Sequence, residues 1–208
     1  MKIFDPENPM MIFLSRIFEL IVLNVCFVIA CIPIFTIGPA LTALNCVTLK
    51  MAEGDFGYTA VTFFDSFKKN FKQGTILWLI LFSATLIPVS DLYLVFFKLG
   101  PEYKFLQYPA WLILFFALSA IIYSFPMLSR FEQTNFQLIK NSILLSLGNI
   151  PLTIFIIVIL GVILDLSVNN PKMRVIFFSL FLFIGCALLS RIFSIFIRRA
   201  LAAAEKKD

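Results

Sequence analysis

The chain reads Pro33-Ile34-Phe35-Thr36-Ile37-Gly38-Pro39-Ala40 where its first long apolar run ends and a second helical pattern begins. Pro33 and Pro39 have no backbone N–H to donate, and Gly38 can adopt dihedral angles that are closed to other residues. The Thr36 hydroxyl can bond to backbone groups that such a break exposes. In hydrocarbon those groups must be satisfied by protein or trapped water, so we expect a re-entrant or interfacial turn packed against another surface.

The composition of the rest of the chain is that of a membrane protein. The 208 residues are 61% hydrophobic and 14% charged, with 26 phenylalanines and a mean hydropathy of +0.98. Soluble domains carry about 25% charged residues, and a spanning helix needs about 20 apolar residues in a row. We therefore predict an all-α, polytopic protein with a single helical membrane domain over residues 1–208, in contact with the lipid bilayer.

The charged and sulfur-containing residues exclude several classes of function. A net charge of +5 would suggest nucleic acid in a soluble protein, but here the lysines and arginines lie at the ends of apolar runs, so no nucleic-acid partner is expected. The four cysteines have apolar neighbours and the chain has no histidine, which predicts unreactive thiols, no metal and no catalytic triad. The sequence contains no GxxxxGK[ST] phosphate loop, and we expect neither a cofactor nor enzymatic activity.

Hydrophobic runs predict about five transmembrane helices, over residues 15–32, 75–97, 106–128, 152–166 and 175–197. Between the first two, residues 40–51 are short and carry polar side chains, so they are interpreted as a half-helix or as a helix that leaves the membrane. Asn24 lies deep in the first run, where a side-chain amide usually bonds to another helix. Asn24, Pro33, Thr36, Gly38 and Pro39 are the predicted packing residues of the break.

Two amphipathic helices are predicted outside the spans. The first covers residues 59–72, and the second covers residues 130–148 with an apolar stripe that includes Phe136 and Ile143. For the first, two interpretations remain open: a membrane-surface helix packed under its own bundle, or a docking helix for a partner protein. The candidate docking residues are Phe63, Phe64, Phe67, Lys68, Lys69, Asn70, Phe71 and Lys72.

Basic residues predict the orientation in the membrane. Ten of them, or eleven with Arg191, are assigned to the side of the two amphipathic helices, while six that include Arg16 are assigned to the other side. Because basic loops stay in the cytoplasm, we expect the amphipathic helices and the C-terminus there, and the N-terminus outside.

Several of these segments resemble the YesL-like family of small bacterial membrane proteins. The resemblance rests on Asn24, on the break at residues 33–40, on Ala43-Leu44, and on the aromatic and basic stretch at residues 63–72. Genes of that family typically lie beside carbohydrate ABC importers and polysaccharide-degrading enzymes in Gram-positive bacteria. The resemblance therefore implies a bacterial cell-membrane protein with an accessory role in sugar uptake.

The sequence and the resemblance together leave three hypotheses for function. The first is a non-enzymatic accessory subunit that binds the permease subunits of a carbohydrate ABC importer. The second is an independent small transporter or channel for a neutral solute, which would bind at the helix break. The third is a membrane enzyme that works through Asp65, Asp91 or Glu132, although no spacing between these carboxylates guarantees that they meet.

Overall fold

The computed structural model describes residues 9–98 and 100–205, and over this part of the chain it is helical with no strand. The α-helices in order are α1 (Pro9–Ala30), α2 (Ile37–Glu53), α3 (Thr59–Lys69), α4 (Phe71–Phe97), α5 (Gln107–Arg130), α6 (Asn135–Gly148), α7 (Ile150–Asn169), α8 (Pro171–Leu180) and α9 (Cys186–Glu205). Short 3₁₀ turns lie at Ile34–Thr36 and Pro101–Leu106, and a π-helix at Phe181–Gly185 joins α8 to α9.

Six helical segments in the described residues are long and apolar enough to cross a membrane, as expected of a multi-pass membrane protein. One more segment qualifies than the sequence predicted, and it is Ile34–Glu53, which contains α2. The sequence interpretation began this helix only at Ala40. In the structure α2 begins at Ile37 and runs through Pro39, because a proline in the first turn of a helix removes no intrahelical hydrogen bond.

The first three helices pack around one apolar cluster. Helices α1 and α2 run antiparallel, since Thr36 at the start of α2 bonds to Ala30 at the end of α1, while Arg16 lies over Phe56 just beyond α2. Helix α3 packs against both of them. Their shared buried side chains include Leu23, Phe27, Ala43, Val47 and Phe63.

A second apolar cluster lies between α4 and α5 and also takes side chains from α2, α6 and α9. Its members include Leu49, Leu77, Tyr123, Leu138 and Ile197. Helix α6 contributes Leu138 and places Ser142 and Ser146 inward, whereas Phe136 on the predicted apolar stripe is exposed. The predicted helix is therefore present over residues 135–148. Of the predicted stripe, Ile143 packs against this cluster, whereas Phe136 lies on the surface.

The break at residues 33–40 is closed by its own chain. The Thr36 hydroxyl donates to the carbonyl oxygens of Ala30 and Pro33, at 2.6 Å each, and satisfies the carbonyl end of α1 as predicted. Pro33 is exposed, whereas Gly38 and Pro39 are buried against α4. The surface that covers the break is therefore an intramolecular one.

Gly38 and Gly74 bring the backbones of α2 and α4 into direct contact. A Cβ atom added to Gly38 would lie 2.2 Å from the Gly74 carbonyl oxygen and 2.6 Å from the Trp78 Cβ. A Cβ atom added to Gly74 would lie 2.9 Å from the Pro39 nitrogen. Because backbone atoms are in the way on both sides, any side chain at either position must push the two helices apart.

Substitution of Gly38 tests this contact. We expect Gly38→Ala to lower the free energy of unfolding by about 1–3 kcal/mol, since the added methyl group forces the helices to separate. The measurement is thermal unfolding of the purified protein in detergent.

The matched control is Gly161→Ala in α7, where an added Cβ meets no atom within 4 Å. Alanine should be neutral or slightly stabilising there, because it forms helix better than glycine. Equal melting temperatures for Gly38→Ala and the unsubstituted protein would contradict the close approach.

Candidate functional site

The amphipathic stretch at residues 59–72 forms two helices, which corrects the prediction of one continuous helix. Helix α3 ends at Lys69, and α4 begins at Phe71. At Asn70 the backbone leaves the helical region (φ −100°, ψ 9°), and the Asn70 side-chain amide donates to the Ser66 carbonyl oxygen at 3.0 Å. Asn70 is thus a bend residue, and Phe71 and Lys72 belong to the start of α4.

The aromatic residues of this stretch divide between the interior and the surface. Phe63 is 0% exposed, and the Phe67 ring stacks on it at a centroid distance of 6.3 Å. Phe64 is 41% exposed and Phe71 is 38% exposed. The interpretation of a helix packed under its own bundle therefore accounts for Phe63 and Phe67, while Phe64 and Phe71 remain free to meet a partner or lipid.

The lysines of the same stretch all lie on the surface. Lys68 and Lys72 are exposed, and the Lys69 ammonium contacts the Glu132 carboxylate at 3.2 Å. The side chains of that ion pair are 72% and 89% exposed, so solvent screens it strongly. This surface therefore combines exposed aromatic rings with exposed positive charge.

Beside α3 lies a cleft of about 810 Å³, which we call the polar cleft. Its walls come from the end of α2, from α3, from the start of α4, and from residues 128–137, where α5 passes into α6. Its charged and amide lining consists of Lys50, Asp65, Lys69, Asn70, Gln73, Arg130, Glu132, Gln133 and Gln137. A cleft of this volume lies within the range of small-ligand sites in proteins.

Hydrogen bonds between distant segments fix the walls of the polar cleft. The Gln73 side-chain amide donates to the Gln133 carbonyl oxygen at 2.6 Å, and the Arg130 guanidinium pairs with the Glu53 carboxylate. At the start of α6, Thr134 and Gln137 form a capping box, in which each side chain bonds to the other residue's backbone N–H. The turn between α5 and α6 is thereby held against α2 and α4.

Sequence reasoning did not find the polar cleft. Of its lining, only Lys69, Asn70 and the carboxylates Asp65 and Glu132 had been singled out. The Thr-x-x-Gln pattern at residues 134–137 was a readable signal for the start of α6. The pairing of Gln73 with Gln133 had no local signal, because it joins residues that are 60 positions apart.

Arg16 lies at the same end of the molecule as Arg191 and the basic residues assigned to the side of the amphipathic helices, which corrects its assignment to the opposite side. Its guanidinium carbon is 4.6 Å from the centre of the Phe56 ring, and that of Arg191 is 5.5 Å from the same ring. Arg191 also donates to the Thr48 carbonyl oxygen at 3.3 Å. The antiparallel course of α1 and α2 brings Arg16 there, and the sequence count of charges could not include it.

Asn24 makes the predicted contact between helices. It is buried, and its amide nitrogen donates to the carbonyl oxygens of Phe181 and Leu182 at 2.8 Å each. Its amide oxygen accepts from the Ala187 N–H at 3.0 Å. These backbone groups belong to the π-helix and the first turn of α9, where the regular bonding pattern changes, so Asn24 satisfies a second break in the fold.

A further polar cluster joins α2 to α9. The Thr48 hydroxyl contacts the hydroxyls of Ser190 and Ser194 at 2.9 and 2.8 Å. Ser190 also donates to the Asn45 side-chain oxygen at 3.4 Å. These buried bonds explain why α2 carries polar residues. The polar side chains face α9, and the rest of the α2 surface can remain apolar.

The described residues hold no group of three or more His, Cys, Asp or Glu side chains that could bind a metal ion. All four cysteines are free thiols. Asp65 and Glu132 line the polar cleft, whereas Asp91 is exposed towards the far end of α4. Of the three carboxylates considered for catalysis, two are therefore brought to one site.

Comparison with protein-family models gives a match for part of the chain. Residues 20–92 match the model of a family described as "Protein of unknown function, DUF624". No curated protein and no solved structure matches the chain. The matched segment contains the features on which the resemblance was based, namely Asn24, the break, Ala43-Leu44 and residues 63–72, and it also contains the Gly38–Gly74 contact. This match over residues 20–92 is consistent with the resemblance to the YesL-like family, which is a DUF624 family.

Proposed function

We propose that this protein is a non-enzymatic accessory subunit that binds the permease of a carbohydrate ABC importer. The observation that carries the proposal is the division of α3 into two faces. Phe63 and Phe67 anchor the helix to α1 and α2, while Phe64 and Lys68 point away from the bundle. Exposed aromatic rings on a helix whose position is fixed are typical of protein contact surfaces. The carbohydrate importer itself is implied by the family resemblance.

The alternative is an independent small transporter or channel for a neutral solute. Its predicted site at the break is filled by the contact of Gly38 and Pro39 with Gly74, so a solute would instead have to use the polar cleft. The amide side chains there can bond to a neutral polar molecule. The two proposals differ in what accompanies the protein when it is extracted from the membrane.

A pull-down in mild detergent, from cells grown on complex carbohydrate, separates the two proposals. The accessory-subunit proposal predicts a sugar permease and its ATPase in near-equal amounts with the tagged protein. Phe64→Ala combined with Lys68→Ala should reduce their recovery by about tenfold or more, because interface aromatic and charged side chains contribute over 1 kcal/mol at such contacts.

The matched control is Phe136→Ala on α6, which also removes an exposed ring, 78% accessible, from a different helix. It should leave recovery of the permease unchanged. Recovery of the protein alone, from extracts in which the importer stays intact, would contradict the accessory role; solute uptake by the purified protein in liposomes would then support the transporter.

We also propose that the polar cleft faces the cytoplasm. The cations that line the cleft are Lys50, Lys69 and Arg130. Arg198 lies at the same end of the molecule, where it donates to the Ala52 carbonyl oxygen at 2.7 Å. Basic residues concentrate on the cytoplasmic side of membrane proteins. The predicted outside N-terminus falls in residues 1–8 and the predicted cytoplasmic C-terminus in residues 206–208, both outside the described residues. Because Arg16 of α1 lies over Phe56 at the same end as the cleft, this proposal places the start of α1 in the cytoplasm, and it conflicts with the prediction of an outside N-terminus.

Cysteine labelling tests this orientation. In a variant without native cysteines, Lys68→Cys should react with a membrane-impermeant maleimide only after the cells are opened. Glu102→Cys, in the 3₁₀ turn at the other end of α4, should react in intact cells. Labelling of Lys68→Cys in intact cells would overturn the proposed orientation.

A further inference from the structure

We propose that the polar cleft binds the headgroup of an anionic phospholipid that carries a free glycerol, which is the phosphatidylglycerol class. This inference does not depend on the accessory-subunit proposal. It rests on the unpaired charges of the cleft, on an ion pair that can be exchanged, and on the exposed rings at its edge.

Lys50 and Asp65 are charged residues of the polar cleft whose side chains, in the described part of the chain, make no contact that holds the fold together. Within residues 9–98 and 100–205, neither the Lys50 ammonium nor the Asp65 carboxylate has a hydrogen-bond or ion-pair partner. Lys50 lies in the last turn of α2 and Asp65 lies in α3, so the two groups approach the cleft from different walls. A ligand with a phosphate for the ammonium and hydroxyls for the carboxylate satisfies both.

Lys69 supplies a second positive charge to the phosphate. Its ion pair with Glu132 is highly exposed, and such pairs contribute little to stability, so a phosphate can replace the carboxylate. The Arg130–Glu53 pair is less exposed, with side chains that are 20% and 45% accessible, and it remains as part of the wall. The phosphate therefore has the two exposed ammonium groups of Lys50 and Lys69 available.

The surroundings favour a net negative ligand. Lys68 and Lys72 are exposed on the same stretch of chain as Lys69 and add positive charge near the cleft. Against four lysines, Lys50, Lys68, Lys69 and Lys72, stand the carboxylates of Asp65 and Glu132. An anionic lipid gains more from this net positive balance than a zwitterionic one, whose net charge is zero.

Exposed rings favour a lipid over a soluble phosphate ester. Phe71 follows the cleft residue Asn70, and Phe136 precedes the cleft residue Gln137. Phe136 is 78% exposed and Phe71 is 38% exposed, so both can lie among acyl chains while the headgroup enters the cleft. A soluble glycerol phosphate would leave these rings in contact with water.

The test measures retention of phosphatidylglycerol on the full-length protein, by native mass spectrometry after extraction from nanodiscs of equal phosphatidylglycerol and phosphatidylethanolamine content. We expect phosphatidylglycerol to be enriched on the protein. Lys50→Gln should lower its retention by about tenfold, since a hydrogen bond to a charged group is lost. Glu132→Gln should raise retention, because it frees Lys69.

The matched control is Lys140→Gln, which removes an exposed lysine from α6 outside the polar cleft and should have no effect. Equal losses in Lys50→Gln and Lys140→Gln would overturn the site in favour of general attraction to the surface. Equal retention of the two lipids would overturn the headgroup assignment. Displacement of the lipid by an equal concentration of glycerol 3-phosphate would overturn the lipid as the occupant.

Discussion

The contact between the Gly38 and Gly74 backbones is the constraint on which the arrangement of the other helices depends. With no side chain between them, the start of α2 lies directly on the first turn of α4. Helix α3 and the links on either side of it, residues 54–70, must then return from the end of α2 to the start of α4. That path lays it along α1 and α2, where Phe63 completes their core. The position of the amphipathic helix thus follows from two glycines outside it.

The same contact gives α2 an oblique course across the α4–α5 pair. One end of α2 touches Gly74, and at the other end Glu53 pairs with Arg130. Gly74 and Arg130 belong to the same end of that pair, as the bond from Gln73 to Gln133 shows. A helix of 17 residues is about 25 Å long, so it can reach both points only by crossing the pair at an angle. The polar cleft is the space that this crossing leaves between α2, α3 and the turn after α5.

Two sets of polar contacts hold α9 against α1 and α2. Asn24 bonds to the π-helix before α9, and Thr48 bonds to Ser190 and Ser194 within it. Apolar packing alone does not fix the relative position of helices in a membrane, since lipid is as apolar as a leucine side chain. The polar side chains inside the apolar runs therefore specify which helices meet and at what height.

The sequence was sufficient for the features that depend on local chemistry. Composition predicted a helical membrane protein, the Pro33 and Pro39 pattern predicted the break, and periodicity predicted the two amphipathic segments. The burial of Phe63 and the exposure of Phe64 could not be separated, because both positions look apolar from the sequence and their faces are set by α1 and α2. The cleft and the place of Arg16 were missed for a related reason: they depend on contacts such as Arg130–Glu53, between segments that only the fold brings together.

The most direct test of this account is a cross-linking measurement at Lys69 and Glu132, in a protein without native cysteines. The account predicts that Lys69→Cys and Glu132→Cys are joined efficiently by a short bifunctional reagent, since the native side chains meet at 3.2 Å. It also predicts that the added substitution Gly38→Val lowers the yield, because α3 loses its fixed position. A yield no higher than that of Lys69→Cys with Glu102→Cys, or a yield unaffected by Gly38→Val, would contradict the dependence of the cleft on the glycine contact.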